Sequence, residues 1–338
     1  MSTQQQLKTA FKQVTDQLHP PKQLDAKIEQ LFHTNIVDNQ AVRSEDTGRK
    51  RPFSLFQGSK RKIVILALAS MLLLSGAAYA SQLLYSLNGK GVQLQVSKES
   101  AIDLSHSESV AIYNELQQVK SQLADKQSAF VYLRPLAERQ VPALLLVQQP
   151  VQYNVLNEWK AAVEAIYPTL KMPTDLPEGY SFAAGQLQNW IGVYSPDEAK
   201  SYESKLSKKS QKGSSGITWE KTPDNRPALS SLDSPGLIYR NHASQQLEIR
   251  YQIFPQTDGN IQIKGMINEQ AKAEPVNLRN QTAGYYVAND NNFSSENGYL
   301  QSLQWIENQN NHTILYTIST SSPTIALEDL QKMANSVQ

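Results

Sequence analysis

Apolar residues recur along this chain in three rhythms, and each rhythm predicts a different structure. Near the start, Leu7, Ala10, Phe11, Val14 and Leu18 fall at i, i+3, i+4, i+7 and i+11, one stripe on a helix. Pro20-Pro21 stops that helix, and Leu24, Ile28, Leu31 and Phe32 make a second stripe. The pattern predicts a helical hairpin over residues 1–36. So short a unit cannot bury enough surface to stand alone, so it needs something to pack against. Docking into a groove on a cytoplasmic partner, self-association, and lying on the inner membrane leaflet all meet that need.

The second rhythm has no polar face. Ile63 to Ala80 carries no charge and is broken only by Ser70, Ser75 and Gly76. As a helix it would span roughly 27 Å at ~1.5 Å per residue, just short of a ~30 Å hydrocarbon core. Extension through Leu83 and Leu84 makes up the difference and predicts one transmembrane helix over 63–84. Tyr79 and Tyr85 would then lie towards its outer interface. Ala78-Tyr79-Ala80 also fits a signal-peptidase site, but a signal peptide does not begin behind sixty patterned residues. A retained anchor fits the pattern better.

The third rhythm is alternation, mixed with short helical stripes. Residues 86–172 predict a membrane-proximal mixed α/β segment, with "GVQLQV", "AFVYL" and "PALLLVQQPVQY" as strands. Ser105 to Glu108 reads as a capping box ahead of Ile112, Leu116, Val119 and Leu123. A further helix carries Leu156, Trp159, Val163 and Ile166. Residues 173–338 are strand-rich: Leu247, Ile249, Tyr251 and Ile253 alternate with Glu248, Arg250 and Gln252, a half-buried antiparallel strand. Asp258-Gly259 predicts a turn before Ile261 and Ile263. An Asn-rich turn separates "LQW" from "ILYTI", and a last helix carries Leu327, Leu330, Ala334 and Val337. The expected fold class is α+β, with an antiparallel sheet covered on one face by that helix. "SYESKLSKKSQKGSSG" reads as a solvated loop whose lysines could touch anionic wall polymers.

Charge orients the chain. Residues 1–62 hold 11 Lys/Arg against 6 Asp/Glu, while the remainder holds 21 against 25. Residues 37–62 form a basic linker, and Arg49, Lys50, Arg51, Lys60, Arg61 and Lys62 gather at the inner end of the apolar run. The positive-inside rule places the N-terminus in the cytoplasm and the rest outside the cell membrane. The basic cluster meets anionic lipid and carries no nucleic-acid reading motif. Mean hydropathy is −0.47, so membrane contact is confined to one place.

Cysteine is absent, which excludes disulfides, thiol catalysis and Cys-based zinc sites. No P-loop, G-x-S-x-G, H-E-x-x-H or G-x-G-x-x-G occurs. His106, His242 and His312 are far apart in sequence, so no catalytic residue, cofactor or metal ligand is assigned. Trp159 and Trp305 fall on apolar periodic faces and belong in the core. Trp190 and Trp219 border loops and are the candidates for contact with an outer ligand.

"LPEGYSF" at Leu176–Phe182, "LQWIE" at Leu303–Glu307, "LYTIS" at Leu315–Ser319 and "LEDLQKMANSV" at Leu327–Val337 occur in that order. The series resembles the C-terminal domain of unknown function of Gram-positive single-pass membrane proteins, many of them similar to anti-sigma factors. "VKSQLADKQSAFVYL" is similar to the stretch preceding that domain. The resemblance implies an extracytoplasmic envelope sensor tied to a cytoplasmic regulator, a sigma factor or another protein, and it implies no reaction. The zinc-type anti-sigma pattern His-x3-Cys-x2-Cys is missing, so binding through Leu7, Phe11, Val14, Leu18, Leu24, Ile28, Leu31 and Phe32 would proceed without zinc. The alternative is a non-signalling binding or structural protein displayed at the envelope.

Overall fold

The computed structural model describes residues 82–338, apart from 193, 195, 214–215, 224–233, 257–260 and 310. The chain runs through β1 (Gln82–Gly89), β2 (Val92–Lys98), α1 (His106–Ser121), β3 (Ser128–Leu133), α2 (Arg134–Glu138), β4 (Leu144–Gln148), β5 (Gln152–Tyr153) and α3 (Leu156–Glu164). It continues through β6 (Ser181–Gln186), β7 (Ile191–Gly192), α4 (Pro196–Ser210), β8 (Ile217–Lys221), β9 (Gly236–Arg240), β10 (Gln246–Pro255) and β11 (Ile261–Ile267). The last elements are β12 (Lys272–Asn277), β13 (Ala283–Asn289), β14 (Leu300–Gln309), β15 (His312–Thr320) and α5 (Leu327–Asn335).

These strands form three sheets, in the orders β1-β2-β11, β12-β13-β14-β15-β10-β9-β6-β5, and β7-β4-β3-β8. The α+β expectation is therefore overturned: the described residues are mostly β, with short helices laid on the sheets. They contain no helical hairpin, and no helix among them is long and apolar enough to cross a membrane. The hairpin expected over residues 1–36 and the apolar run 63–81 lie outside the described residues. The run's expected end does not: Leu83, Leu84 and Tyr85 belong to β1. Tyr85 is buried and stacked on Tyr285 at 4.3 Å, not set at a membrane interface. Its burial follows from pairing, because β1 runs antiparallel to β2 and turns Tyr85 inward.

One face of the eight-stranded sheet is largely apolar. Leu247, Ile249, Tyr251 and Ile253 of β10 lie beside Ile314, Tyr316 and Ile318 of β15 and Leu303 and Trp305 of β14. Trp159 and Val163 of α3 and Leu330 and Met333 of α5 cover that face. At ~25 cal/mol per Å², each such side chain contributes about 1.5–3 kcal/mol of burial. Trp159, whose indole donates to the Gln186 carbonyl at 2.9 Å, sits over Gly185, where a Cβ would lie 2.3 Å from the ring. Ile166 falls beyond α3 and is half exposed, although its spacing had placed it on the apolar stripe.

The other face is buried as well, which alternation alone did not predict. Its far end is apolar, with Phe254, Leu315 and Val287 packed against β1, β2 and β11 and against Phe130 and Leu146 of the four-stranded sheet. Its near end is polar and still buried, with Arg250, Gln252, Gln304, Thr317 and Ser319 all under 9% exposed. The four-stranded sheet presents Val131, Leu145 and Val147 to Ile112, Leu116 and Val119 of α1, so α1 spans the space above that polar end. Ser105 caps α1 as expected: its hydroxyl accepts from the Glu108 amide, and the Glu108 carboxylate accepts from the Ser105 amide.

Two further expectations fail for identifiable reasons. β11 does not return beside β10 as a hairpin; it pairs parallel with β2 in another sheet, and the intervening Asp258-Gly259 lies outside the described residues. The lysine-rich stretch is not a loop but mostly α4. Ala199, Tyr202 and Leu206 recur at helical spacing, Pro196 stands in the first turn, and Lys208 and Lys209 close the last. Strands from both sides of position 172 share all three sheets: β2 pairs with β11, β3 with β8, and β5 with β6.

Candidate functional site

A polar cleft of about 370 Å³ opens between α1 and the polar end of the eight-stranded sheet. Its floor comes from neighbouring strands. Glu248 and Arg250 of β10 point up beside Ser319 of β15, Ile238 of β9 and Gln186 of β6. They share one face because Glu248 is opposite Ser319 and Ile238 in register, and Gln186 and Arg250 are both opposite Gly236. Glycine at 236 lets the Arg250 side chain lie across β9, since a Cβ there would sit about 3.1 Å from Arg250 Cδ.

Arg250 is the most constrained group on this floor. Its guanidinium donates to the carbonyls of Gln188 at 3.0 Å and Ser234 at 3.3 Å and to Gln186 Oε1, while Nε pairs with the Glu248 carboxylate. A planar fork with its donors used in this way holds β6, β9 and β10 in one arrangement. The roof is the flank of α1 turned away from its apolar stripe, where Tyr113, Gln117 and Lys120 follow at spacings of four and three.

Trp190, from the β6–β7 connection, forms the wall. Tyr113 meets it edge-on at 6.4 Å, and Lys120 Nζ lies 5.7 Å from its ring centroid, a cation–π contact. Burial pushes the Lys120 ammonium down from the ordinary lysine range, and the nearby positive charge of Arg250 adds to this, with Glu248 opposing. Burial also raises Tyr113, helped by the negative charge of Glu296 at the cleft's edge.

Of the expected outer contacts, Trp190 therefore stands in this cleft. Trp219 does not. It lies on β8 across α1, in a more open depression of about 760 Å³ with Glu115, Gln118, Lys209 and Lys212. The two tryptophans flank one helix without forming one site. The expected partner-binding residues from Leu7 to Phe32 lie outside the described residues. Sequence reading missed Glu248 and Arg250 because it assigned the polar positions of β10 to solvent, and Lys120 because only the apolar stripe of α1 was followed. One signal was available: Tyr113, Gln117 and Lys120 make a second, polar stripe beside the apolar one on α1.

Among the described residues no group of three or more His, Asp or Glu is placed to hold a metal ion. No protein-family model matches the chain, and neither a curated protein nor a solved structure does. The motifs behind the family resemblance converge in one place: Leu176, Tyr180 and Phe182 join Leu303, Trp305, Tyr316, Leu330, Met333 and Val337 in the core beneath α5. These apolar positions are a packing pattern on the face of the sheet opposite the cleft, whereas Ser319 of "LYTIS" and Lys120 of the preceding stretch line the cleft itself.

Proposed function

We propose that this chain is a single-pass membrane regulatory protein, an anti-sigma-like envelope sensor. In this reading the basic cluster ending at Lys62 stays in the cytoplasm and residues 63–81 cross the membrane. The β-rich portion from Gln82 onward is displayed outside and holds a ligand in the cleft beneath α1. The apolar stripes from Leu7 to Phe32 engage a cytoplasmic partner, a sigma factor or another regulator.

The observation that carries this reading is the junction at Gln82. Paired β structure begins directly behind an uncharged run of 19 residues that is preceded by basic ones. As a helix that run is roughly 28 Å long at ~1.5 Å per residue, close to a ~30 Å core without borrowing from β1. A ligand-binding role for the β-rich portion is supported by a cleft of a size usual for small-molecule sites, with a tryptophan wall and a charged floor.

The absence of cysteine makes the topology easy to test. Ser2→Cys and Lys264→Cys, the latter on an exposed position of β11, each introduce a single thiol. A membrane-impermeant maleimide should label the Lys264→Cys chain in intact cells and the Ser2→Cys chain only after lysis. Labelling of Ser2→Cys in intact cells, or of neither before lysis, refutes the orientation. Detergent extracts should yield a cytoplasmic partner with the full chain and lose it when residues 1–45 are deleted. Recovery of no partner leaves the display-protein reading in its place.

A further inference from the structure

The charges that line the cleft do not balance. Lys120, Arg240 and Arg250 face it together with Glu248 and Glu296, leaving one positive charge in excess. Arg250 is satisfied by Glu248 and three acceptors, and Glu296 lies at the rim on the β13–β14 connection. Arg240 is exposed at the mouth and donates to Gln246 Oε1 at 3.5 Å, so Lys120 is the partly buried cation left over. It touches the Trp190 ring, and no described carboxylate stands within ion-pair distance of it. Burial and the neighbouring arginine both disfavour its charge, which is the environment that an incoming anion relieves.

The rest of the lining is uncharged and rich in hydrogen-bonding groups. Gln117, Gln152 and Gln246 supply amides, and Ser244, Ser295 and Ser321 supply hydroxyls. Such groups can both donate and accept, as a polyhydroxylated ligand requires. The half-buried indole of Trp190 offers a flat apolar surface beside them. A phosphate monoester would bring about two negative charges towards Glu248 and Glu296, against an excess of one positive charge. A single carboxylate matches that excess.

We propose that the cleft beneath α1 binds an acidic sugar carrying one carboxylate, a hexuronate-type ligand, with the carboxylate on Lys120 and the ring against Trp190. The proposal rests on the reading of the β-rich portion as a ligand-binding domain, and it assigns that ligand its chemical class.

The test is calorimetric titration of the full chain in detergent with glucuronate, glucose and glucose 6-phosphate. Glucuronate should bind with the highest affinity of the three, at least tenfold above glucose, and binding should quench tryptophan emission. Lys120→Gln should weaken glucuronate binding about tenfold or more and leave glucose unchanged, while Lys120→Arg retains most of the affinity. Thermal unfolding of both variants provides the folding control. Equal affinity for glucuronate and glucose, tighter binding of glucose 6-phosphate, no binding of any probe up to 20 mM, or a Lys120→Gln chain that binds glucuronate like the wild type overturns the proposal. The topology experiment reads out separately. Wrong orientation with intact uronate binding defeats the membrane reading alone, and absent uronate binding with correct labelling defeats only this proposal.

Discussion

Arg250→Met tests how the cleft floor is held. Arg250 is 6% exposed, and its substitution strands the Glu248 carboxylate, itself largely buried, together with the Gln188 and Ser234 carbonyls and Gln186 Oε1. Breaking a buried ion pair from one side costs about 3–5 kcal/mol, because the surviving charge remains desolvated. For a folded unit of this size each kcal/mol moves Tm by roughly 2–4 °C, so the midpoint should fall by roughly 6–20 °C. The double variant Glu248→Leu with Arg250→Met removes the stranded charge as well and should recover more than half of that loss. Scanning calorimetry or far-UV dichroism of the four chains in the double-mutant cycle gives the answer. The reasoning fails if Arg250→Met shifts Tm by less than 2 °C, or if the double variant is no more stable than the single one. Either result would mean that the pair is solvated in practice and that the floor is held by the sheet ladder alone.

Gly185→Ala drives a methyl into the Trp159 ring and should destabilise by about 1–3 kcal/mol, seen as a lower urea midpoint with an unchanged slope. Tyr85→Phe leaves Gln304 Oε1 without its buried donor, at 3.0 Å in the native chain, and should cost about 1–3 kcal/mol in the same measurement. Glu108 is held near pKa 2, first by the Ser105 amide and then by Arg139. Its contribution is full above its unfolded value and fades as pH falls from about 4.3 towards 2, so Glu108→Gln should flatten the wild-type loss of Tm across that window. Burial raises Tyr194, Tyr239, Tyr251 and Tyr316, so the unfolded chain releases those protons first. Stability should therefore hold to about pH 9 and fall as pH rises through about 10, with phenolate absorbance appearing only on unfolding.

Local signals were read well where one physical requirement ruled. The Ser105 capping box, the β14–β15 hairpin and the core places of Trp159 and Trp305 each follow from a short-range pattern. What the sequence concealed is how many layers meet. Alternation on β10 reports two kinds of position, and a two-layer fold would put the polar kind in water. Here other sheets and α1 cover the second face, so Arg250 and Gln252 are buried among partners that alternation cannot name. The same blindness misplaced β11, because a turn signal states that the chain reverses, not which strand it then joins. α4 was hidden by composition: Ala199, Tyr202 and Leu206 keep helical spacing among residues typical of solvated loops. Trp190 was legible as a candidate because it borders a loop, but Lys120, which makes the site chemically specific, was one polar residue among many on α1.

The position of β1 limits how such a domain could report on its ligand. Tyr85 donates to Gln304 of β14, the Lys90 amide donates to Asn308 Oδ1, and Thr313 donates to the Lys90 carbonyl. The strand next to the proposed span is thus tied to the eight-stranded sheet at its middle and at the turn that follows it. Gln304 lies opposite Thr317, and Thr317 opposite Arg250, so one cross-strand row joins the β1 contact to the cleft floor. A hinge is not available along that row, because β14, β15 and β10 are each paired on both sides. Ligand-driven bending of this sheet would have to break ladder bonds that binding of one small anion cannot replace. On the proposed topology, then, occupancy of the cleft is not transmitted by a change of shape through β1.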